Sequence, residues 1–213
     1  MRIVDCEQGT REWLRARLGK VGASMVADAT ARTKTGWGAS RANLAARLVA
    51  ERLTGNLTET FTNAAMQWGT DTEPEARTRY AFETDADVRT VGLVLHPSIE
   101  WTCASTDGLV GDLGLVEIKC PNTATQIETL LGAAIDRKYV KQMQWQMACT
   151  GRSWCDFVSY DPRLPAAMQI HTRRVERDDA MIAELEEQIA EFLAEVASKV
   201  DRLSELYVVE AAA

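Results

Sequence analysis

Residues 106–121 read TDGLVGDLGLVEIKCP, and this stretch decides the fold. Its apolar residues form two β-rich runs, and the glycine-bearing segment 111–114 between them is typical of a turn. If the hairpin folds about Asp112, Asp107 and Glu117 become cross-strand partners, because each lies five residues from that centre. Directly opposed residues share a face of the sheet, with Cβ atoms about 4.5–5.5 Å apart. The spacing therefore predicts two adjacent carboxylates.

A lysine completes this candidate cluster. Lys119 follows Glu117 by two residues, and on a strand that spacing puts both side chains on one face. Two close carboxylates repel each other unless a cation lies between them, and Mg²⁺ prefers oxygen ligands of this kind. A divalent cation activates water for phosphodiester hydrolysis, and a nearby lysine stabilises the developing charge. The alternative is structural, since Asp-Gly begins many turns and an exposed Glu-x-Lys pair contributes a fraction of a kcal/mol.

Composition excludes several protein classes. The 213 residues are 46% hydrophobic with a net charge of −7, which is typical of a globular domain with its own core and not of a disordered chain. No apolar run approaches the ~20 residues of a membrane-spanning helix, and the initial MRIVDCEQGT lacks an apolar signal core. The five scattered cysteines include no C-x-x-C pair, so we interpret them, like the two histidines, as structural. We expect a cytoplasmic protein without a membrane partner.

Charge is distributed unevenly along the chain. Residues 1–60 carry ten basic and six acidic side chains, residues 61–174 carry eleven and fourteen, and residues 175–213 carry three and eleven. A polyanion would therefore meet the N-terminal part first. Arg32 and Lys34 lie in the glycine-bearing segment ARTKTGWGAS, which predicts a basic loop ending at Ser40 as a helix cap.

The remaining patterns predict helices and strands around one sheet, in a mixed α/β or α+β arrangement. Pro74 should either kink a helix or begin a new one. Apolar steps of three and four residues predict a long C-terminal helix with a glutamate-rich outer face. The predicted helices are 10–18, 23–31, 40–55, 63–82, 123–131, 138–150 and about 178–207, with a strand meander at 88–120 and two strands at 153–160 and 167–175.

Several motifs occur in an order that resembles a known family. They are EQGTREWLRARLGKVGAS (7–24), AMQWGTDTEPEARTRY (65–80), TCASTDGLV (102–110), LVEIKCP (115–121), YVKQMQWQMACTG (139–151) and YDPR (160–163). Together with the Asp107, Glu117 and Lys119 spacing, they are similar to the lambda-phage exonuclease or YqaJ-type viral recombinase branch of the PD-(D/E)xK nuclease superfamily. Thr106 stands where the superfamily usually has proline.

This resemblance implies an α/β (α+β mixed sheet) fold with a restriction-endonuclease-like PD-(D/E)xK core, in which helices flank a central mixed β-sheet. It implies one exonuclease domain over residues 1–213. Within that domain we expect a helical DNA-end-binding part at about 8–82, a catalytic sheet core at about 87–176 and the C-terminal helix.

The resemblance also implies roles for the central residues. Asp107, Glu117 and the carbonyl of Ile118 match Mg²⁺ ligands, two ions per site are expected, and Mn²⁺ should substitute. Lys119 matches the catalytic lysine. Glu73 matches a helix-borne glutamate that completes the acidic site, although the adjacent Pro74 departs from the pattern and puts its pose in doubt. Gln142 matches a catalytic glutamine in the helix after the core motif, whereas Gln144 and Gln146 read as polar surface.

Further family positions concern the DNA end. Arg17, Ser24 and Ser105 match a pocket for the terminal 5′-phosphate, and Met66 matches a hydrophobic wedge at the last base pair, with an ordinary core methionine as its alternative. Arg32 and Lys34 are candidates for contact with the duplex backbone or minor groove, and a solvated loop predicts the same composition. The tryptophans of the matching motifs, Trp13, Trp68 and Trp145, are expected in the core.

The implied activity is Mg²⁺-dependent 5′-to-3′ digestion of one strand of linear duplex DNA with a 5′-phosphate. Its product is a 3′ single strand for recombination by annealing. The resemblance further implies a homotrimeric ring, a single-strand annealing protein as partner, and a phage or prophage gene expressed in the bacterial cytoplasm. Two alternatives stay open, an endonuclease of the same superfamily and a catalytically silent DNA-end-binding module.

Overall fold

The computed structural model describes residues 1–34, 36–58 and 63–207. Thr35, within the predicted basic loop, and residues 59–62 and 208–213 lie outside the described residues. Seven α-helices are assigned in the described ranges, all close to the predicted positions. They are α1 Arg11–Arg17, α2 Val26–Ala29, α3 Ala39–Thr54, α4 Ala64–Thr84, α5 Thr123–Leu130, α6 Arg137–Thr150 and α7 Asp179–Tyr207.

The strands form two larger sheets and one small hairpin, so the prediction of a single sheet and a simple meander is wrong. One sheet has the order β1-β6-β7-β2 and the other has the order β11-β10-β9-β8-β5, while β3 pairs with β4. The strands are β1 Arg2–Val4, β2 Val21–Gly22, β3 Arg32–Thr33, β4 Gly36–Trp37, β5 Val88–Arg89, β6 Leu93–Leu95, β7 Thr102–Ala104, β8 Gly108–Val110, β9 Gly114–Lys119, β10 Trp154–Tyr160 and β11 Ile170–Glu176. Strands β1 and β2 were missed because each is only two or three residues long.

The register of the central hairpin confirms the predicted turn. Strands β8 and β9 are antiparallel with Gly108 opposite Val116 and Val110 opposite Gly114, so the pairing is symmetric about Asp112. Continued by one step, the same register places Asp107 opposite Glu117. Strand β9 also pairs in parallel with β10, which completes a mixed sheet.

Alternation along β9 separates two packed layers. Leu115 packs with Met143 and Met147 of α6, whereas Val116 and Ile118 pack with residues of α4 on the other face. Helix α4 is fixed to its face by the Tyr80 hydroxyl, which donates to the buried carboxylate of Asp156 at 2.8 Å. Glu117 and Lys119 lie on the same face of β9 as Leu115, because side chains two residues apart on a strand point the same way. Their side chains therefore project toward α6.

Two local features differ from expectation. The basic segment forms the β3–β4 hairpin and α3 begins at Ala39 with Gly38 as its N-cap, so Ser40 lies inside the first turn instead of capping it. Pro74 lies inside α4, and no new helix begins after Thr72. No helix in the described part of the chain combines the length and apolar character needed to cross a bilayer.

We expect Gly108→Ala to lower the free energy of unfolding by about 1–3 kcal/mol through overpacking. A Cβ atom at this position would lie 2.5 Å from Val88 Cγ1 and 3.0 Å from Val116 Cγ1. Urea denaturation measures the change, and the double variant with Val88→Ala should recover part of it.

Gly69→Ala is the matched control, because a Cβ atom there meets nothing within 4 Å and the position is helical. It should stabilise the protein by roughly 0.5–1 kcal/mol. Equal stability of the Gly108→Ala variant and the unsubstituted protein would contradict the close packing described here.

Candidate active site

Glu117 is the centre of the site. Its side chain is only 1% exposed, and its carboxylate accepts hydrogen bonds from three buried or half-buried donors. Gln142 Nε2 donates to Oε1 at 2.7 Å, Gln146 Nε2 donates to Oε2 at 2.6 Å, and the Lys119 ammonium forms an ion pair with Oε1. Because a buried carboxylate without partners is costly, these donors from α6 and β9 fix its position.

Asp107 lies immediately before β8 and faces the Glu117 carboxylate across the hairpin. The backbone N–H of Ile118 donates to Asp107 Oδ2 at 2.6 Å, which holds the carboxylate against β9. Burial raises the pKa of Asp107 well above its usual range, and the nearby carboxylates of Glu117 and Glu73 raise it further. The predicted pair of adjacent carboxylates is therefore present, and it carries the electrostatic strain that a cation would relieve.

Glu73 reaches the same cluster from α4. Burial raises its pKa, and although Arg77 acts in the opposite direction, Glu117 adds to the increase. Arg77 forms an ion pair with Glu73 one helical turn away, and its Nε donates to the Asp107 carbonyl at 2.7 Å. Pro74 therefore leaves Glu73 directed at the site. Sequence reasoning missed Arg77, for which the four-residue spacing from Glu73 was the available indication.

Lys119 stays cationic in this environment. Burial alone would lower the pKa of its ammonium, but Glu117 and Asp107 outweigh that effect and raise it. The ammonium also lies 4.9 Å from the ring centroid of Tyr139 on α6. A fixed positive charge beside two carboxylates can neutralise negative charge on a bound phosphoryl group.

The oxygen donors suit a hard divalent cation. Within the described ranges, no three His, Cys, Asp or Glu side chains are arranged to hold a metal ion. The predicted set needs only two carboxylates, Asp107 and Glu117, plus the carbonyl of Ile118, and the pKa of Asp107 is raised first by burial and then by the carboxylates of Glu117 and Glu73. Carboxylate and carbonyl oxygens are the ligands that Mg²⁺ prefers, so the residues present fit this ion in their chemistry.

A second cluster, which we call the end pocket, consists of Trp13, Arg17, Ser24 and Ser105. The Arg17 guanidinium lies 4.1 Å above the Trp13 ring, and Trp13 Nε1 donates to Ser105 Oγ at 3.0 Å. Arg17 lies against β2, since a Cβ atom on Gly22 would be 3.1 Å from its guanidinium, and Ser24 follows two residues later in the short 3-10 helix Ala23–Met25. Burial lowers the pKa of Arg17. Trp13 thus joins Arg17 to Ser105 and does not belong to the core, whereas Ser24 is placed near them only by its position after Gly22.

Gln146 joins the end pocket to the acidic cluster. Besides Glu117, its amide donates to the Ser105 carbonyl at 3.0 Å, and its side chain is fully buried. Gln144, on the opposite side of α6, is also buried and donates to the Glu176 carbonyl at 2.8 Å. The prediction that Gln144 and Gln146 are surface residues is therefore wrong. The four-residue spacing from Gln142 already placed Gln146 on the active face.

The remaining predicted DNA contacts lie outside this cluster. Met66, in the first turn of α4, is 52% exposed, so the alternative of an ordinary core methionine is wrong. Arg32 stacks on Trp37 within the β3–β4 hairpin, and Lys34 is exposed at its turn. Of the motif tryptophans, Trp145 is fully buried as predicted, whereas Trp68 is only half-buried.

Comparison with known proteins identifies a family and solved structures that are similar to this chain. A family model described as the YqaJ-like viral recombinase domain matches residues 12–153. The crystal structure of an alkaline exonuclease (LHK-Exo) from Laribacter hongkongensis is 55% identical, with a TM-score of 0.87 over 93% of this chain and 98% of that chain. A structure of LHK-Exo in complex with dAMP aligns with the same values. These matches confirm the predicted family resemblance and the mixed α/β, PD-(D/E)xK-like fold.

A more distant structure shares the fold alone. It is a phage related exonuclease from Haemophilus somnus 129PT, which is 15% identical with a TM-score of 0.67 over 87% of this chain and 96% of that chain. No curated protein is significantly similar in sequence.

Gln146→Leu should lower the free energy of unfolding by about 1–3 kcal/mol, because it leaves the buried Glu117 Oε2 and the Ser105 carbonyl without their donor. Urea denaturation measures the loss. Combining it with Glu117→Gln should shrink the penalty, since the uncompensated charge is gone.

Gln67→Leu is the control for this substitution. Gln67 also donates to a carboxylate, that of Asp71 at 2.8 Å, but in an exposed position, so its removal should change stability by less than about 0.5 kcal/mol. Equal effects of the two glutamine substitutions would show that burial of the Glu117 donors is unimportant.

Proposed function

Because the chain belongs to the YqaJ-like viral recombinase domain family, we propose that it is a DNA exonuclease. The observation that carries this proposal is the joining of the Asp107, Glu117 and Lys119 cluster to the end pocket through Gln146. Similarity to an alkaline exonuclease across nearly the whole chain supports it. We propose further that the enzyme requires Mg²⁺, digests from the 5′ end and leaves a 3′ single strand for annealing.

The acidic cluster would hold the metal. The carboxylates of Asp107 and Glu117 and the carbonyl of Ile118 would be its protein ligands, with two ions per site and Mn²⁺ as a substitute. Bound there, Mg²⁺ supplies a Lewis acid and lowers the pKa of an attacking water. Gln142 and Gln146 orient Glu117, while Arg77 keeps Glu73 beside Asp107.

Lys119 and the end pocket act on the DNA itself. The Lys119 ammonium, which Glu117 and Asp107 keep charged despite its burial, stabilises negative charge at the phosphate under attack. Arg17 can hold a terminal phosphate by two hydrogen bonds, and the hydroxyls of Ser24 and Ser105 add neutral donors. Met66 would separate the terminal base pair, with Arg32 and Lys34 along the duplex.

The assembly and partners follow from the family resemblance. We propose a homotrimeric ring around the DNA and a single-strand annealing protein that receives the exposed strand. The glutamate-rich face of α7, placed on the outside, would reconcile the net charge of −7 with binding of a polyanion.

The primary experiment digests a linear duplex with a 5′-phosphate on one strand only, in Mg²⁺ or EDTA, beside a circular duplex. Metal-dependent loss of the phosphorylated strand with intact circles is expected. Lys119→Ala should reduce the rate by roughly 10²- to 10³-fold, a loss typical of removing one electrostatic stabiliser. Lys199→Ala, an exposed lysine on α7, is the matched control.

The other outcomes identify the alternatives. Nicked circles would indicate an endonuclease, and end binding without degradation would indicate a silent binding module. Degradation that starts from the 3′ end would contradict the proposed polarity.

Arg17→Met should slow digestion of 5′-phosphorylated ends about 10- to 100-fold and leave the rate on 5′-hydroxyl ends nearly unchanged, because only the former present a phosphate dianion to the guanidinium. The ratio of the two rates is the measurement. Arg15→Met, an exposed arginine of the same helix, should leave that ratio unchanged. A uniform loss on both ends would contradict a phosphate-specific role.

A further inference from the structure

A cavity of about 710 Å³ opens beside Lys119, and we call it the side cavity. The start of α4, the segment joining α5 to α6, and the strands β10 and β11 enclose it. Its lining includes Trp68, Tyr139, Phe157, Arg163 and Arg173. None of the four end-pocket residues lines it, so the side cavity is a separate space that shares only the neighbourhood of Lys119.

Arg173 is the cation of the side-cavity lining that no carboxylate of the described residues pairs with. Lys138, which also lines the cavity, forms an exposed pair with Asp136 at 3.4 Å. Lys119 is paired with Glu117, and Arg163 is held by the buried Asp161 at 2.7 and 3.0 Å. Arg173 forms no ion pair with any residue of the described ranges, and its closest protein acceptor is the Ala133 carbonyl at 3.5 Å. The position of the guanidinium in the lining makes it a candidate phosphate contact.

The walls also offer aromatic surface. The rings of Tyr139 and Phe157 lie 5.9 Å apart, and Arg163 lies 4.4 Å above the Trp68 ring. Aromatic side chains in such a wall provide faces on which nucleobases stack.

We propose that the side cavity binds unpaired deoxynucleotides of the DNA strand that digestion leaves single. Aromatic faces for bases combined with a cation for phosphate characterise single-strand binding sites. The volume of the side cavity lies within the range of small-molecule sites. A space of this size accommodates about one or two nucleotides but not the end of a duplex. The inference rests on the proposed exonuclease function and adds to it a strand-binding site outside the end pocket.

The start of α4 explains why this strand would enter. Ala64, Ala65 and Trp68 form part of the wall, and the exposed Met66 lies on the same helical turn. If Met66 opens the terminal base pair, the strand that is not digested at the acidic cluster emerges next to this wall. A released mononucleotide has the same base and phosphate chemistry, so the experiment must separate the two sources.

The test measures binding of a labelled oligothymidylate of about ten nucleotides, a length typical of single-strand sites, by fluorescence anisotropy in EDTA. Arg173→Gln should weaken binding about 3- to 10-fold and reduce the salt dependence by roughly one phosphate contact. Trp68→Leu should weaken it roughly 5- to 100-fold through lost stacking. Arg202→Gln, exposed on α7, is the control and should bind normally.

Competition with thymidine 5′-monophosphate distinguishes the sources. Weak competition, together with loss of affinity in the Arg173→Gln and Trp68→Leu variants, supports the strand site. Unchanged affinity in both variants would overturn it, as would a mononucleotide that binds as tightly as the oligonucleotide and is equally sensitive to Arg173→Gln. Because cleavage cannot occur in EDTA, these outcomes are independent of the digestion assay that tests the proposed exonuclease.

Discussion

The burial of one carboxylate governs this structure. Glu117 is removed from solvent in the middle of a mixed sheet, and its charge is tolerable only because Lys119, Gln142 and Gln146 donate to it. That requirement fixes helix α6 against the sheet and positions the lysine. Asp107 and Glu73 bring the cluster to three carboxylates against the two cations Lys119 and Arg77, and this excess of acidic groups suits a bound cation.

The same hydrogen bonds connect recognition to chemistry. Gln146 touches both Glu117 and the backbone of Ser105, and Ser105 accepts from Trp13, on which Arg17 stacks. A short series of contacts therefore joins the residues proposed to hold a DNA end to those proposed to cut it. In an enzyme that must act at ends, such a connection would keep a fixed distance between the terminal phosphate and the bond to be hydrolysed.

Much of this could be predicted from the sequence, because it depends on local spacing. The two-residue period and the turn about Asp112 predicted the hairpin register, and apolar steps of three and four residues predicted the C-terminal helix α7. The division into two sheets could not be predicted, since strands of two or three residues carry little periodicity. Nor could the contact of Gln146 with Ser105 or that of Trp13 with Ser105, which join elements remote in sequence, so Gln146 was assigned to the surface and Trp13 to the core.

The symmetric pairing about Asp112 has a consequence for how this family can vary. Side chains alternate between the α6 and α4 layers, so inserting or deleting one residue between Val110 and Gly114 would slip the register and change which residue faces Asp107. Loops elsewhere tolerate changes of length, but this turn should not. The length of the turn is thus fixed by the pairing of Asp107 with Glu117, although the turn residues themselves lie outside the acidic cluster.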